Sequence, residues 1–190
     1  MQFESEQNKG SRQESSQEDR KGGILSRISS TKFLFFVVVA VAWFAFDMAT
    51  KAYANSFDKG EVFAGPFAGL IQFRLAHNTG AAWSMFSGST LALAVIAVVV
   101  LLALLVIVAL FSRQITWLEA FSLGLVFAGG IGNAFDRFTL GYVVDFIQTL
   151  FISFPTFNIA DIGVTCGVIL FALSFVVRTF KEESSSKKGN

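Results

Sequence analysis

The stretch from Gly129 to Asp161, GGIGNAFDRFTLGYVVDFIQTLFISFPTFNIAD, carries Asn133, Asp136, Arg137, Asp145, Asn158 and Asp161 between two long apolar segments. Ionisable groups at membrane depth or at its edge are costly, so they mark a functional site by default. Asp145 and Asp161 stand at the approach to the last apolar segment and read as a pair working on a substrate that arrives from lipid. Two Asp side chains close together do not both ionise cheaply, so one pKa rises and they share a proton. One then serves as general base for a water, the other as general acid toward a carbonyl oxygen and a leaving amine. That is peptide hydrolysis with neither a covalent intermediate nor a metal, and its apparent pKa values belong to the pair.

Composition narrows the field around those acids. The chain has 190 residues, 53% hydrophobic and 15% charged, too apolar for an ordinary soluble domain and suited to a small integral membrane protein. The net charge of +1 gives no nucleic-acid footprint. One Cys, Cys166, excludes an internal disulfide and a cysteine-type metal site, and one His, His77, excludes a histidine cluster. The carboxylates remain.

Four apolar segments must position them. Residues 1–32 are polar, without hydrophobic period, and read as a disordered cytoplasmic tail rather than a signal peptide. The first segment runs from Phe33 to Tyr53 and ends in DMATK, which places Asp47 and Lys51 at i, i+4 on one helix face; a snorkelling Lys with a partner acid is the bland account. An outer loop over 54–85 is expected to hold a short strand at Leu70 to Ala76. It continues into HNTGAAW, where Asn78 and Gly80 read either as a turn or as a reach into the site past Ala81 and Ala82. The second segment, Leu91 to Phe111, has no charge at all. The third, Trp117 to Arg137, repeats small residues at Gly124, Ala128 and Gly132, a stripe that lets helices approach closely in lipid. At its end the bland account pairs Asp136 with Arg137, and Arg137 also stands ready to touch substrate. Residues 138–158 suit a short amphipathic helix on the membrane plane, presenting Asp145. The fourth segment, Ile159 to Val177, begins with Asn158 as an N-cap and Asp161 in the first turn; Cys166 within it reads as a packing residue.

Eleven Lys and Arg fall in the tail, the turn at Arg113 and the C-terminal flank, against four, Lys51, Lys59, Arg74 and Arg137, on the other side. This predicts four transmembrane helices with both termini cytoplasmic, an all-α membrane fold with a small outer β-element. Every polar cluster then shares the outer side. A transporter or proton channel would need polar residues spread through the depth, and a non-enzymatic assembly factor would not need its acids at one level.

Five blocks carry a resemblance: DMATK at 47–51, HNTGAAW at 77–83, GGIGNAFDR at 129–137, VVDFI at 143–147 and FPTFNIAD at 154–161. In this order they resemble bacterial lipoprotein signal peptidase (signal peptidase II), an aspartyl intramembrane protease family, over residues 33–180. The resemblance implies a multi-pass enzyme of the bacterial inner membrane with its site facing outward. It implies cleavage of diacylglyceryl-prolipoprotein just before the lipid-modified cysteine, with no cofactor, no metal and a monomeric chain in contact with membrane lipid. It assigns Asp145 and Asp161 as the catalytic pair, with Asp136 in the supporting shell and as the alternative to Asp145. Asn133 and Arg137 resemble substrate- and structure-stabilising residues. Asp47, Lys51, Asn78, Gly80, Asn158 and Ala160 match positions that shape the pocket. The outer strand and the amphipathic connection resemble the family's substrate clamp, and residues 181–190 form a cytoplasmic tail. Ser84, Ile162, Gly163 and a longer polar N-tail depart from the pattern.

Overall fold

The structure, a computed structural model, describes residues 31–80 and 89–188. Residues 1–30 of the expected tail lie outside them, as do Ala81, Ala82 and Ser84. Helix α1 spans Thr31–Ala54, strands β1 and β2 span Val62–Phe67 and Ile71–Asn78, and helices α2 and α3 span Thr90–Phe111 and Trp117–Thr139. Strand β3 spans Val143–Thr149 and helix α4 spans Ile159–Lys188. All four helices are long and apolar enough to cross a membrane, at the places expected from sequence. Helix α4 continues past Val177 to Lys188, because its polar extension has no Pro or Gly to stop it and offers good helix formers such as Lys and Glu.

Helix α3 is the interior member of the bundle. Half of its apolar window is buried, against 17% for each of the other three, and it packs on α4, α1 and α2. Small residues make this possible, as the stripe predicts. A Cβ on Gly124 would lie 3.0 Å from the Phe36 carbonyl oxygen of α1, and one on Gly167 of α4 would lie 2.6 Å from that of Ser122. Backbones this close gain dispersion contact along the whole crossing, which is what holds helices together in lipid. Helix α2 buries only Ala94, Leu101 and Val108, one narrow seam at seven-residue spacing; its remaining apolar faces are left to lipid. Thr116 caps α3 in a capping box with Glu119: the hydroxyl accepts from the Glu119 amide at 3.1 Å, and Glu119 Oε2 accepts from the Thr116 amide at 2.8 Å.

The strands form one antiparallel sheet in the order β1-β2-β3. The hairpin between β1 and β2 turns at Ala68 and Gly69, both with positive φ, the handedness that suits a tight hairpin. Residues 138–158 therefore hold a strand, and among the described residues there is no short helix on the membrane plane. The apolar spacing of this segment fits either structure. Pairing with β2 decides it, at Asn78↔Val143, Ala76↔Asp145 and Phe73↔Ile147, along with a bridge from Ile147 to Phe157. Val143 through Ile147 are all buried, because Asp145 faces the helices while Phe146 joins Ala54, Leu75 and Phe73 in the core beneath the sheet. One extra residue on β2 between Phe73 and Ala76 makes a bulge, which bends the strand ahead of the site.

Gly167→Ala places its methyl against the α3 backbone at Ser122. It is expected to cost about 1–3 kcal/mol by overpacking, read as a lowered unfolding midpoint of the detergent-solubilised protein.

Candidate active site

The site is built on a buried ammonium. Lys51 is 3% exposed, and its three hydrogens meet three acceptors: Asp47 Oδ2 at 2.9 Å, Asn133 Oδ1 at 2.9 Å and Asp136 Oδ2 at 3.1 Å. It does not snorkel to water, because its partners come to it from α1 and α3. The expected ion pair between Asp136 and Arg137 is not the one formed; Asp136 turns to Lys51 and accepts the Val144 amide at 3.1 Å, tying α3 to the strand residue just before Asp145. Asp47 Oδ1 accepts the Ala160 amide at 2.8 Å, tying α1 to the start of α4. A Cβ on Gly132 would overlap Asp47 Oδ2, and one on Gly129 would overlap the Ala160 carbonyl, so both glycines are required by this crowding.

Two asparagines carry the network on to the acid pair. Asn133 Nδ2 donates to Asp161 Oδ1 at 2.8 Å. Asn158 Nδ2 donates to Asp145 Oδ1 at 2.8 Å and to Asn133 Oδ1 at 3.0 Å. Asn158 and Asp161 also cap α4 reciprocally, each side chain accepting the other's backbone N–H at 3.0 Å. The cap foreseen from sequence is therefore real, and the same residues serve the cluster. Asp145, Asp161, Asn78, Asn133 and Arg137 open on one cavity of roughly 450 Å³; Asp136 does not line it. Arg137 donates to the carbonyls of Asn133 and Gly80, both at 3.1 Å, and is in none of the ion pairs among the described residues.

Burial pushes the Asp145 carboxyl up from its ordinary 3.8 to about 7, and the nearby Asp161 charge adds to the rise. Hydrogen bonds from Asn78 and Asn158 and the Lys51 charge oppose it. Asp145 thus holds a proton at a pH where an ordinary Asp has lost it. His77 lies apart from the cavity, stacked on Tyr142 at 3.9 Å with Nε2 facing Asn55 Oδ1 at 3.2 Å. Burial, then the Lys59 charge, lowers its pKa.

All eleven residues singled out by sequence sit in this network or its cavity lining. Cys166 does too; it is exposed and lines the cavity rather than packing in a core. Sequence reasoning passed over Phe154, Pro155, Thr156 and Thr165 in the same wall, and Trp43, whose Nε1 donates to the Ile159 carbonyl at 3.2 Å. A Cβ on Gly163 would overlap the Trp43 ring, so the departure at Gly163 was the available signal for that contact.

The bundle, the sheet at one end of it and the shared acid cavity describe a membrane enzyme. Residues 39–177 match the family described as signal peptidase (SPase) II. The lipoprotein signal peptidase of Nostoc punctiforme is 34% identical over 147 residues, covering 77% of this chain and 91% of that one. That of Microcystis aeruginosa is 37% identical over 142 residues, covering 74% and 90%. A bacterial membrane enzyme structure obtained by the in meso method at 2.3 Å resolution superposes with a TM-score of 0.69 at 34% identity, covering 76% of this chain and 88% of the other. A second, at 1.9 Å, gives a TM-score of 0.65 at 35% identity, covering 74% and 91%. The chain belongs to the signal peptidase II family.

Lys51→Met leaves two buried carboxylates without their cation and is expected to cost about 3–5 kcal/mol, measured as a lower midpoint in thermal unfolding. The raised Asp145 pKa favours the folded state below pH 3.8, and that contribution falls away as pH rises toward about 7. Asp145→Asn should remove this slope, so the variant gains on the wild type between about pH 4 and about pH 7; equal slopes would contradict the protonated Asp145.

Proposed function

We propose that this protein removes signal peptides from prolipoproteins by hydrolysing the bond just before a diacylglyceryl-modified cysteine. The observation that carries the reading is the convergence of Asp145 and Asp161 on one cavity, bridged by Asn133 and Asn158. Asp161 serves as the base: it takes a proton from a water whose oxygen attacks the scissile carbonyl carbon. Asp145, which holds its proton, gives it to the carbonyl oxygen, forming a tetrahedral gem-diol. Asp161 then returns its proton to the leaving nitrogen while a diol hydroxyl reprotonates Asp145. The C–N bond breaks to a signal-peptide carboxylic acid and a mature chain with a free N-terminal cysteine. Asp136 supports the pair by holding the Val144 amide, and Arg137, Asn78 and Gly80 shape the wall that receives the peptide.

The Lys and Arg distribution supports both termini on the cytoplasmic side and the cavity facing outward, and the similarity to bacterial lipoprotein signal peptidases supports the inner membrane, with residues 33–180 as one unit. A transport reading finds no support in α2, where Thr90 is the sole polar residue, and the acid cluster is confined to one end of the bundle.

Cleavage of a diacylglyceryl-prolipoprotein by the purified protein in detergent tests the proposal. Asp145→Asn and Asp161→Asn should each reduce the rate at least about a thousandfold, in line with the loss of an essential acid or base, with circular dichroism unchanged and no effect of chelators. Full activity in Asp145→Asn together with loss in Asp136→Asn would move the pair to Asp136 and Asp161.

A further inference from the structure

At the opposite end of the bundle the start of α3 and the end of α4 enclose a second, open groove of roughly 430 Å³. Fourteen residues of α3 separate Glu119 here from Asn133 at the acid cluster, about 21 Å along the helix axis. The two sites therefore face opposite leaflets. The groove has an apolar wall of Leu118, Leu173 and Val177, which are 45%, 58% and 52% exposed. Its mouth carries Arg178 and Lys181. Trp117, 53% exposed, neighbours Leu118, and Trp at this depth marks the headgroup level.

The charges here do not balance. Arg178 NH1 pairs with buried Glu119 Oε2 at 3.3 Å and donates to the Gln114 carbonyl at 3.1 Å. Lys32 is engaged by carbonyls rather than by an acid: its Nζ donates to Ile115 O at 2.6 Å and Arg113 O at 3.4 Å. Lys181 is exposed and is in none of the ion pairs among the described residues. Glu119 thus neutralises Arg178, and Lys32, Arg113 and Lys181 still outnumber Glu182 and Glu183, which follow Lys181 in the chain, beside an apolar wall that opens onto lipid.

We propose that this groove holds an anionic phospholipid, with its phosphate at Lys181 and Arg178 and an acyl chain along Leu118, Leu173 and Val177. The wall is continuous with the lipid-facing surface of the spanning helices, so a bilayer lipid reaches it without leaving the membrane. A basic segment of another protein is repelled by the same charges, and a free phosphate leaves the apolar wall unused. Basic pockets between helices at a membrane face bind anionic headgroups for this reason. A lipid seated here fastens α4 to the start of α3, the two helices that carry Asp161 and Asn133 to the far end.

The test is thermal unfolding of the purified full chain in detergent, titrated with phosphatidylglycerol, phosphatidylcholine or inorganic phosphate. Phosphatidylglycerol should raise the midpoint saturably, and phosphatidylcholine and phosphate should not. Lys181→Gln should weaken the phosphatidylglycerol titration about fivefold, the effect of one cation at a membrane surface, while Lys59→Gln, an equal charge change in an outer loop, should leave it unaltered. Leu173→Gln should weaken it as well, through the acyl wall. Equal effects of the two lipids, or wild-type behaviour of Lys181→Gln, would overturn the proposal. A midpoint raised as far by phosphate alone would overturn the lipid assignment in favour of an ion site.

Discussion

One buried ammonium sets the terms for the acid-bearing half of this molecule. A lysine removed from water survives only when its hydrogens are all taken and its charge is matched. Lys51 meets that condition by drawing Asp47 from its own helix and Asn133 and Asp136 from α3. Each partner then has a second task. Asp47 holds the first turn of α4, Asp136 holds β3, and Asn133 holds Asp161. The helix ends and the strand are located relative to one another through a single nitrogen.

The charge inventory of the cluster explains why its acids differ. Two cations, Lys51 and Arg137, face four carboxylates. Asp47 and Asp136 share Lys51 directly, and Asp161 has the capping amide of Asn158 and the Asn133 side chain. Asp145 has side-chain amides and deep burial, and burial raises its pKa to about 7. Burial and the neighbouring Asp161 charge thus move Asp145 toward the protonated form that a general acid needs.

Much of this was legible in the sequence. The four helices follow from apolar length, and the α3 packing from small residues every fourth position. The i, i+4 spacing of Asp47 and Lys51 showed that they share a face, and the Asn158–Asp161 spacing showed the cap. Partner choice was not legible. Asp136 adjoins Arg137 in the chain, yet its side chain points to a lysine 85 positions earlier, and only the crossing of α1 and α3 brings that lysine close. The strand at 143–149 was missed for a related reason. Its apolar spacing suits a helix or a strand, and β2, distant in sequence, makes the choice. Cys166 looked like filler because sequence does not show which side of α4 borders empty space.

The amide of Asn158 has two hydrogens and three oxygens competing for them, at 2.8 Å on Asp145, 3.0 Å on Asn133 and 3.3 Å on the Val144 carbonyl. Its carbonyl end is pinned by the Asp161 amide, so the group has no freedom to flip. A charged Asp145 attracts a hydrogen strongly and a protonated one releases it, whereupon Asn133 Oδ1 receives more and leans less on Lys51. Gain or loss of one proton in the cavity is therefore transcribed into the sharing of hydrogens around the buried lysine, and from there into the grip on two helices and a strand. The scaffold registers the state of its own acid.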